Sequence, residues 1–256
     1  MTSESQARGL AFTGFDHRMQ AIILAGGAGT RLRSVVSDRP KSMAGFGARP
    51  FLEYQVELLR RQGIEDIVLC LGYMYDHIQN HFGDGGHWGV RMRYAVESEP
   101  LGTGGALRNA FALLEPSFLL LNGDSYLELD AHRLIAFHRA RRASDLRCQG
   151  SLALVRVPEA SAYGAVDMDD DGRIVDYGEK SRSGPAWISA GVSVLEKASL
   201  EPLPILTPLS LEKDVLPAAI GKGAHYYGFP TVGFFVDIGT PSGHQAFREF
   251  VEGIKP

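Results

Sequence analysis

The stretch AIILAGGAGTRL, from Ala21 to Leu32, guides the interpretation of the chain because an apolar run of strand length leads directly into a glycine-rich turn. Gly26, Gly27 and Gly29 allow close backbone approaches that a Cβ atom would block, so the amide groups of the turn can point at an anion. Arg31 adds a planar, permanently charged fork that suits phosphate oxygens. The stretch predicts a strand followed by a phosphate-binding turn. The alternative is a turn whose glycines serve packing alone.

Two common phosphate-binding fingerprints do not fit this turn. Leu32 stands where the dinucleotide pattern G-x-G-x-x-G needs its last glycine, and no G-K-[ST] follows as in a Walker A loop. A lysine does arrive soon afterwards, in the segment DRPKSM, where Pro40 restricts the backbone just before Lys41. The anion site predicted here is therefore of another kind.

The first half of the chain alternates between strand-like and helix-like patterns. The segment from Pro50 to Gly63 has the apolar spacing of a helix with a proline near its start and a glycine just after its end. Four apolar runs have strand length: residues 20–24, 66–72, 90–96 and 117–123. This alternation predicts an α/β Rossmann-like fold with a mixed, mostly parallel central sheet and helices on both faces.

After Cys148 the pattern becomes rich in strands, and the run from Asp169 to Gly172 indicates a hairpin turn. No linker separates the halves, so the second half is interpreted as a β-rich lid on the same sheet. The expected organisation is a flexible arm over residues 1–18 and a single domain over 19–256. Within that domain we expect two halves, residues 19–147 with the phosphate-binding turn and residues 148–256 with the β-rich lid.

Composition narrows the function class. The net charge is −4, and polyanions such as nucleic acids and anionic membranes would repel an acidic surface. Residues 1–18 lack the continuous apolar core of a secretory signal, and no apolar run approaches the roughly 20 residues that cross a bilayer. We expect a cytoplasmic protein with no nucleic-acid or membrane partner. A homodimer remains an open expectation.

The sequence resembles a known family, the sugar-1-phosphate nucleotidylyltransferases, which are also called NDP-sugar pyrophosphorylases. The resemblance begins with LAGGAGTRL and RPKSM and continues over nearly the whole chain after residue 18. Each segment is weak evidence alone, but together and in this order they are strong. The further segments are EPLGTGGAL (99–107), LNGDS (121–125), YGAV (163–166), GEK (178–180), SAGVSVL (189–195) and VDIGTP (236–241).

Within the family, the chain most resembles the guanylyltransferases that act on D-glycero-α-D-manno-heptose 1-phosphate, through residues 31–44 and FLEY at 51–54. Ser42 departs from the proline that is usual there. Residues 33–36 lack the prolines of thymidylyl- and uridylyltransferases, which argues against carrying over their nucleotide preference. The resemblance implies guanylyl transfer from GTP to the heptose phosphate, with release of pyrophosphate, for capsule or surface polysaccharide synthesis.

The resemblance implies that residues 19–147 form a nucleotide-binding half and residues 148–256 a sugar-binding half. It also implies site residues. Lys41 would stabilise charge at the α-phosphate, and Arg31 would meet the leaving β- and γ-phosphates, so Arg31, Lys41 and Asp124 are the candidate catalytic residues. The candidate nucleotide-binding residues are Leu24, Gly26, Gly27, Gly29, Thr30, Arg31, Glu99, Gly102 and Thr103. The candidate sugar-binding residues are Gly164, Glu179, Lys180 and Gly191.

A magnesium site is expected from two aspartates. Asp124 and Asp237 each end a predicted strand, so both carboxylates would project at the ligand-binding edge of the sheet. Mg²⁺ prefers one or two carboxylates completed by water and substrate phosphates. The family places its metal on residues that match these two, which makes Mg²⁺ the expected cofactor.

Three alternatives stay open. The same chemistry could act on mannose, glucose or N-acetylmuramate 1-phosphate with GTP, UTP or dTTP. The chain could instead be a non-catalytic regulatory subunit that binds nucleotide sugars, although a silent binder has no need of the two aspartates. A molybdopterin guanylyltransferase shares the opening LAGG, but that alternative leaves GEK and EPLGT unexplained.

Overall fold

A computed structural model describes residues 19–27, 39–178 and 183–253 of the chain. The described residues form thirteen strands and six α-helices. The strands are β1 (Gln20–Leu24), β2 (Gly45–Phe46), β3 (Arg49–Pro50), β4 (Asp66–Leu71), β5 (Arg91–Val96), β6 (Ser117–Asn122), β7 (Ser125–Leu127), β8 (Cys148–Val157), β9 (Ala165–Met168), β10 (Ile174–Tyr177), β11 (Ala186–Glu196), β12 (His225–Pro230) and β13 (Phe235–Asp237). The helices are α1 (Phe51–Arg61), α2 (Tyr75–Phe82), α3 (Gly102–Asn109), α4 (Ala131–Ser144), α5 (Leu216–Gly221) and α6 (Pro241–Val251).

Nine of the described strands form one mixed sheet. Its continuous path runs β10-β9-β11-β6-β1-β4-β5, and β8 pairs with β11 and β12 beside that path. Strands β6, β1, β4 and β5 are parallel neighbours, so their carboxyl ends meet at one edge of the sheet. This is the edge at which open α/β sheets bind their ligands.

Helices cover both faces of the sheet because the parallel strands are apolar on both sides. Alternate residues of β1 show the division: Ala21 and Ile23 pack against α1, α2 and α4, whereas Ile22 faces the side covered by α3 and α5. All three residues are fully buried. Continuous apolar runs of this kind are typical of strands buried on both faces.

The second half of the chain extends the same sheet. Strand β11 is antiparallel to β6 through Val192–Glu196, and its earlier residues lie between β8 and β9. The pairing of β11 with β8 shifts between Ser189 and Ser193, and Gly191 within this shift has φ = +72°, a conformation that favours glycine. Strands from both halves thus form one continuous surface.

A third apolar cluster, besides the one on each face of the large sheet, packs α6 against β7 and β13. Phe247 of α6 is fully buried, and its ring centroid lies 4.8 Å from that of Phe46, 4.9 Å from that of Phe51 and 5.2 Å from that of Tyr126. Because Tyr126 belongs to β7, this cluster holds α6 next to the short antiparallel pair of β7 and β13.

The elements agree closely with those expected from the sequence. Helix α1 begins after Pro50, and β9 and β10 form the hairpin around Gly172, which has φ = +77°. Helix α3 is shorter than its apolar pattern suggested, because a separate 3-10 turn takes over at Phe111. The proposed arm over residues 1–18 lies outside the described residues. No helix in the described ranges is both long and apolar enough to span a bilayer.

Candidate active site

A cavity of about 990 Å³ opens at the carboxyl ends of the parallel strands. It borders the end of β1, the loops after β4, β5 and β6, and the loop after β13. Its lining includes eight residues that the sequence had indicated: Leu24, Gly26, Gly27, Lys41, Glu99, Gly102, Thr103 and Asp124. The first-half candidates that the structure describes therefore meet around one space.

An ammonium group held by two carboxylates lies at the edge of this cavity. Nζ of Lys41 lies 2.8 Å from Oδ2 of Asp124 and 3.9 Å from Oδ1 of Asp237. The Lys41 side chain is only 12% exposed, so its charge is little screened by water. A largely buried ammonium is well placed to stabilise negative charge that develops on a phosphate group.

The two aspartates meet because of strand pairing between segments far apart in the chain. Asp237 pairs in register with Ser125, and the backbone N–H of Ile238 donates to the carbonyl of Asp124 at 2.9 Å. Helix α6 then begins at once, with the Thr240 hydroxyl accepting from the Gly243 amide. The backbone thereby fixes the spacing of the two Cα atoms from which these side chains project.

Gly239 makes room for the lysine. A methyl group at this position would lie 2.3 Å from Nζ of Lys41 and 2.6 Å from Oδ1 of Asp237. The Gly239 amide also donates to that same carboxylate oxygen at 2.6 Å. Gly239 was not singled out from the sequence, although it belongs to the segment VDIGTP; its role depends on a contact made only in three dimensions.

The two aspartates suit a hard divalent cation. Both present carboxylate oxygens to one shared positive charge, the Lys41 ammonium, and Lys41 and Asp124 line the cavity. Over residues 19–27, 39–178 and 183–253, no group of three or more His, Cys, Asp or Glu side chains is gathered as a metal-binding cluster. Two carboxylates are nevertheless a donor set from which Mg²⁺ is commonly bound.

The glycine turn after β1 is packed tightly against the neighbouring strands. A Cβ atom at Gly26 would lie 3.1 Å from the Gly72 nitrogen and 3.1 Å from Oε1 of Glu97, and the carbonyl of Gly26 accepts from the Tyr73 amide. Gly27 has open space around it. The predicted nucleotide-binding residues Gly29, Thr30 and Arg31 lie outside the described residues.

The loop after β5 brings further acceptors to the cavity. Glu99 is exposed there, and Glu97 is half-buried with its Oε2 accepting from the Leu101 amide at 3.2 Å. Burial raises the pKa of Glu97 above that of an ordinary glutamate, and the Leu101 hydrogen bond only partly opposes this effect. Glu97 was missed in the sequence, where the signal available was a carboxylate directly after an apolar strand.

Thr103 borders the cavity, and its hydroxyl has two hydrogen-bond partners in the second half of the chain. Its hydroxyl donates to Oε2 of Glu212 at 2.8 Å and accepts from the Leu211 amide at 2.7 Å. Gly102, with φ = +67°, begins α3 with its Cα facing the carbonyl of Leu209. Both residues border the cavity, but their closest described partners belong to the second half of the chain.

The sugar-binding candidates divide into two groups. Gly191 lies against Asn122 and Ser125, and a Cβ atom there would come within 3.1 Å of both side chains. Gly164 faces the carbonyl of Gly178, the last described residue before the predicted Glu179 and Lys180, which lie outside the described residues. Tyr163 lies near Asp237: burial, together with the negative charge of Asp237, raises the pKa of Tyr163.

Comparisons with known proteins agree with this fold. A family model described as nucleotidyl transferase matches residues 20–252. The D-glycero-alpha-D-manno-heptose 1-phosphate guanylyltransferase of Aneurinibacillus thermoaerophilus is 37% identical over 89% of this chain and 96% of its own length. The mannose-1-phosphate guanylyltransferase of Mycobacterium tuberculosis is 34% identical over 94% of this chain and 67% of its own. The solved structure of HddC from Yersinia pseudotuberculosis complexed with GMP-PN superposes with a TM-score of 0.77 at 35% identity, covering 91% of this chain and 99% of that one.

Proposed function

The chain belongs to the nucleotidyl transferase family, as its motifs predicted, and from this we propose that it transfers a guanylyl group from GTP to D-glycero-α-D-manno-heptose 1-phosphate. A phosphate oxygen of the sugar phosphate attacks the α-phosphorus of GTP. The bond from that phosphorus to the bridging oxygen of the β-phosphate breaks, and pyrophosphate leaves. The products are GDP-heptose and pyrophosphate.

The main support for this proposal is the position of the Lys41 ammonium, which lies between Asp124 and Asp237 at the edge of the large cavity. Two polyanionic substrates must be brought together, and phosphoryl-type transfer depends on positioning and charge neutralisation more than on proton transfer. The Lys41 ammonium is already oriented by its carboxylate partners before any substrate arrives. It would stabilise the charge that develops at the α-phosphate.

We assign Mg²⁺ to Asp124 and Asp237. When bound, Mg²⁺ would neutralise phosphate charge and help align the two substrates. The protein's own contribution is to hold both carboxylates at one place through the pairing of β7 with β13, and to keep Lys41 beside them. The absence of a Cβ atom at Gly239 leaves the space that the ammonium occupies.

The order of the strands suggests how GTP would lie. From β6 through β1 and β4 to β5, three strand spacings cover about 14 Å, comparable with the length of a nucleotide from base to phosphate. With the reacting phosphate at Asp124 after β6, the base would reach the loops after β4 and β5. Guanine presents neighbouring N–H donors, and Glu97 and Glu99 offer carboxylate acceptors there.

Under this arrangement Leu24, Gly26 and Gly27 lie beneath the nucleotide between the base and the phosphates. Gly29, Thr30 and Arg31 remain the proposed contacts of the β- and γ-phosphates, on sequence grounds. The sugar phosphate would approach from the second half, where Gly191 lies beside Asn122 and Gly164 follows Tyr163, which lies near Asp237. Glu179 and Lys180 remain proposed sugar contacts there.

The choice of sugar rests on similarity. The heptose is favoured because the Aneurinibacillus relative and this chain are similar over nearly the full length of both, and GTP is favoured because both curated relatives are guanylyltransferases and HddC is complexed with GMP-PN. Mannose 1-phosphate is the second candidate, since the mycobacterial relative is named for it and has 34% identity.

The test is to incubate purified protein with Mg²⁺ and a matrix of GTP, UTP, dTTP, ATP and CTP against heptose, mannose and glucose 1-phosphates, and to measure pyrophosphate. We expect release with GTP and the manno-heptose phosphate above every other pair. Greater release with mannose 1-phosphate would replace the sugar, and greater release with another nucleotide would replace GTP. Binding of nucleotide sugars without release from any pair would contradict the enzyme assignment.

A further inference from the structure

The hydroxyl of Thr103 joins the nucleotide cavity to a segment that lies more than a hundred residues later. It donates to Oε2 of Glu212 at 2.8 Å, and it accepts from the Leu211 amide at 2.7 Å. Glu212 receives a second hydrogen bond on the same oxygen, from the Ser210 hydroxyl at 3.1 Å. Within the described residues, both hydrogen bonds to this carboxylate therefore use one oxygen, so the carboxylate is held in one orientation.

The backbone around Glu212 is shaped for this contact. Leu211–Val215 forms one turn of π-helix before α5, and the Ser210 side chain caps it by accepting from the Lys213 amide. Turns of π-helix are rare, and they are frequent at functional sites. The turn brings the Leu211 amide and the Glu212 side chain to the same hydroxyl.

The backbone of helix α3 hydrogen-bonds to the loop that precedes this π-helical turn. The amides of Gly104 and Gly105 donate to the carbonyl of Leu209 at 2.8 and 3.2 Å, and the Leu209 amide donates to Leu101 at 2.9 Å. A Cβ atom at Gly105 would lie 2.5 Å from the carbonyl of Thr207. These helix N-terminal amides are therefore already used by protein and do not point at a nucleotide.

Glu212 lies on the sugar side of the site. It lines a small cavity together with Asn122, Ser189 and Gly191, and Asn122 also borders the large cavity that contains Lys41. The negative charge of Glu212 adds to burial in raising the pKa of Tyr177, whose strand β10 ends one residue before Gly178. Thr103 and Glu212 thus lie on opposite sides of the boundary between the two substrate regions.

We propose that Thr103 is a positioning residue for the sugar phosphate: its hydroxyl holds Glu212 and the Leu211 turn as part of the wall against which the sugar binds. This rests on the proposed function. Although Thr103 borders the nucleotide cavity, it would affect the affinity for the sugar phosphate and not the affinity for GTP. A sugar presents several hydroxyl donors, and a carboxylate oriented in advance can accept from them without first losing rotamer freedom.

The experiment compares steady-state kinetics of the wild type, Thr103→Val, Thr103→Ser and Glu212→Gln, with GTP and the manno-heptose 1-phosphate varied in turn, or mannose 1-phosphate if the wild type turns that over faster. Valine keeps the shape of threonine and removes the hydroxyl. Thr231→Val is the matched control, since its hydroxyl bonds the neighbouring carbonyl of Val232 on an exposed loop.

We expect Thr103→Val to raise KM for the sugar phosphate about tenfold, equivalent to about 1.4 kcal/mol, while KM for GTP stays within about twofold. Thr103→Ser should restore most of the affinity because serine keeps the hydroxyl. Glu212→Gln keeps an acceptor for Thr103 but loses the charge, and it should raise the same KM. This second variant decides the matter if Thr103→Val fails to fold.

Two results would overturn the inference while leaving the enzyme assignment intact. One is a raised KM for GTP with no change for the sugar phosphate, which would return Thr103 to the nucleotide. The other is that neither Thr103→Val nor Glu212→Gln changes the KM for GTP or the KM for the sugar phosphate. A wild-type protein that releases no pyrophosphate from any pair contradicts the proposed function, and this inference with it.

Discussion

Nζ of Lys41 lies 2.8 Å from Oδ2 of Asp124, although 83 residues separate them in the chain. The ammonium and the carboxylate reach one another because Lys41 belongs to a short turn before α1, while Asp124 lies in the turn just after β6, the strand next to β1. Their contact places a largely buried positive charge beside two carboxylates that can share a cation. Substitutions at Lys41 and at the residues around it can test the role of these charges.

Substituting Lys41 should remove most of the activity without unfolding the protein. We expect Lys41→Met to lower kcat by about a hundredfold or more, since a preorganised positive group would be lost where charge develops. The measurement is pyrophosphate release with GTP and the heptose phosphate, with Lys222→Met as the control at an exposed lysine. A Lys41→Met enzyme with wild-type kcat would contradict the role given to the ammonium.

Gly239→Ala should impair catalysis more than stability. The added methyl group would meet the flexible end of Lys41, so the lysine can move aside and the fold should survive. Moving a catalytic group by about 1 Å can cost roughly a hundredfold in rate. We expect a clear fall in kcat with little change in Tm. Gly221→Ala is the matched control because nothing lies within 4 Å of its added methyl group. Equal activity of the two variants would argue against the contact.

Phe247→Ala should destabilise the protein by about 3–5 kcal/mol, the usual cost of removing a fully buried phenylalanine. The cavity left behind would loosen α6 and, through it, the strand that ends in Asp237. Urea unfolding followed by circular dichroism measures the change. Phe137→Ala, at a partly exposed ring packed on Phe229, should cost less. If both substitutions cost the same, the third apolar cluster is not the support inferred here.

Asp145 should contribute stability that depends on pH. Burial alone would raise the pKa of Asp145, but hydrogen bonds from His225, Tyr227 and the Arg147 amide outweigh it and lower the pKa from 3.8 to about 2. A lowered pKa in the folded state stabilises the protein above the unfolded value and ceases to do so as the pH falls through the folded value. Asp145→Asn should therefore lower the unfolding free energy near neutral pH, by an amount on the order of 1 kcal/mol.

The measurement compares urea unfolding of the wild type and Asp145→Asn across this range. The difference between them should shrink as the pH falls from 3.8 toward 2. Asp171→Asn, on an exposed turn, is the control. A difference that is independent of pH would mean that Asp145 acts through hydrogen bonding that survives its protonation, and not through its charge.

The affinity for GTP should weaken in acid if Glu97 accepts from the base. Because the pKa of Glu97 is raised by burial, its carboxylate gains a proton at a higher pH than an exposed glutamate does, and the protonated form is a poorer acceptor. We expect KM for GTP to rise as the pH is lowered toward and through this pKa. Glu97→Gln should have a higher KM and a flatter pH profile, and an unchanged profile would exclude Glu97 from base binding.

The sequence was sufficient for the strands and helices of the first half, because continuous apolar runs and glycine or proline boundaries are local signals. Gly26 and Gly27 after β1 and Asp124 after β6 were also recognisable, since the carboxyl ends of parallel strands must share one edge. The residues 29–31 and 179–180 remain expectations from the sequence. Local signals thus identified the residue types that meet at the site.

The contacts between distant segments could not be derived in the same way. No periodicity predicts that β13 pairs with β7, which brings Asp237 to Asp124, or that Gly239 lies against Lys41. Glu97 and Thr103 show the same limit, because one gains its raised pKa from burial and the other finds its partners in a segment more than a hundred residues away. Sequence pattern sets which face of each element is apolar, whereas burial, register and side-chain partners depend on how these faces pack together. For this chain, the amino-acid order accounts for the family and the central sheet, and packing accounts for the arrangement of charges within the cavity.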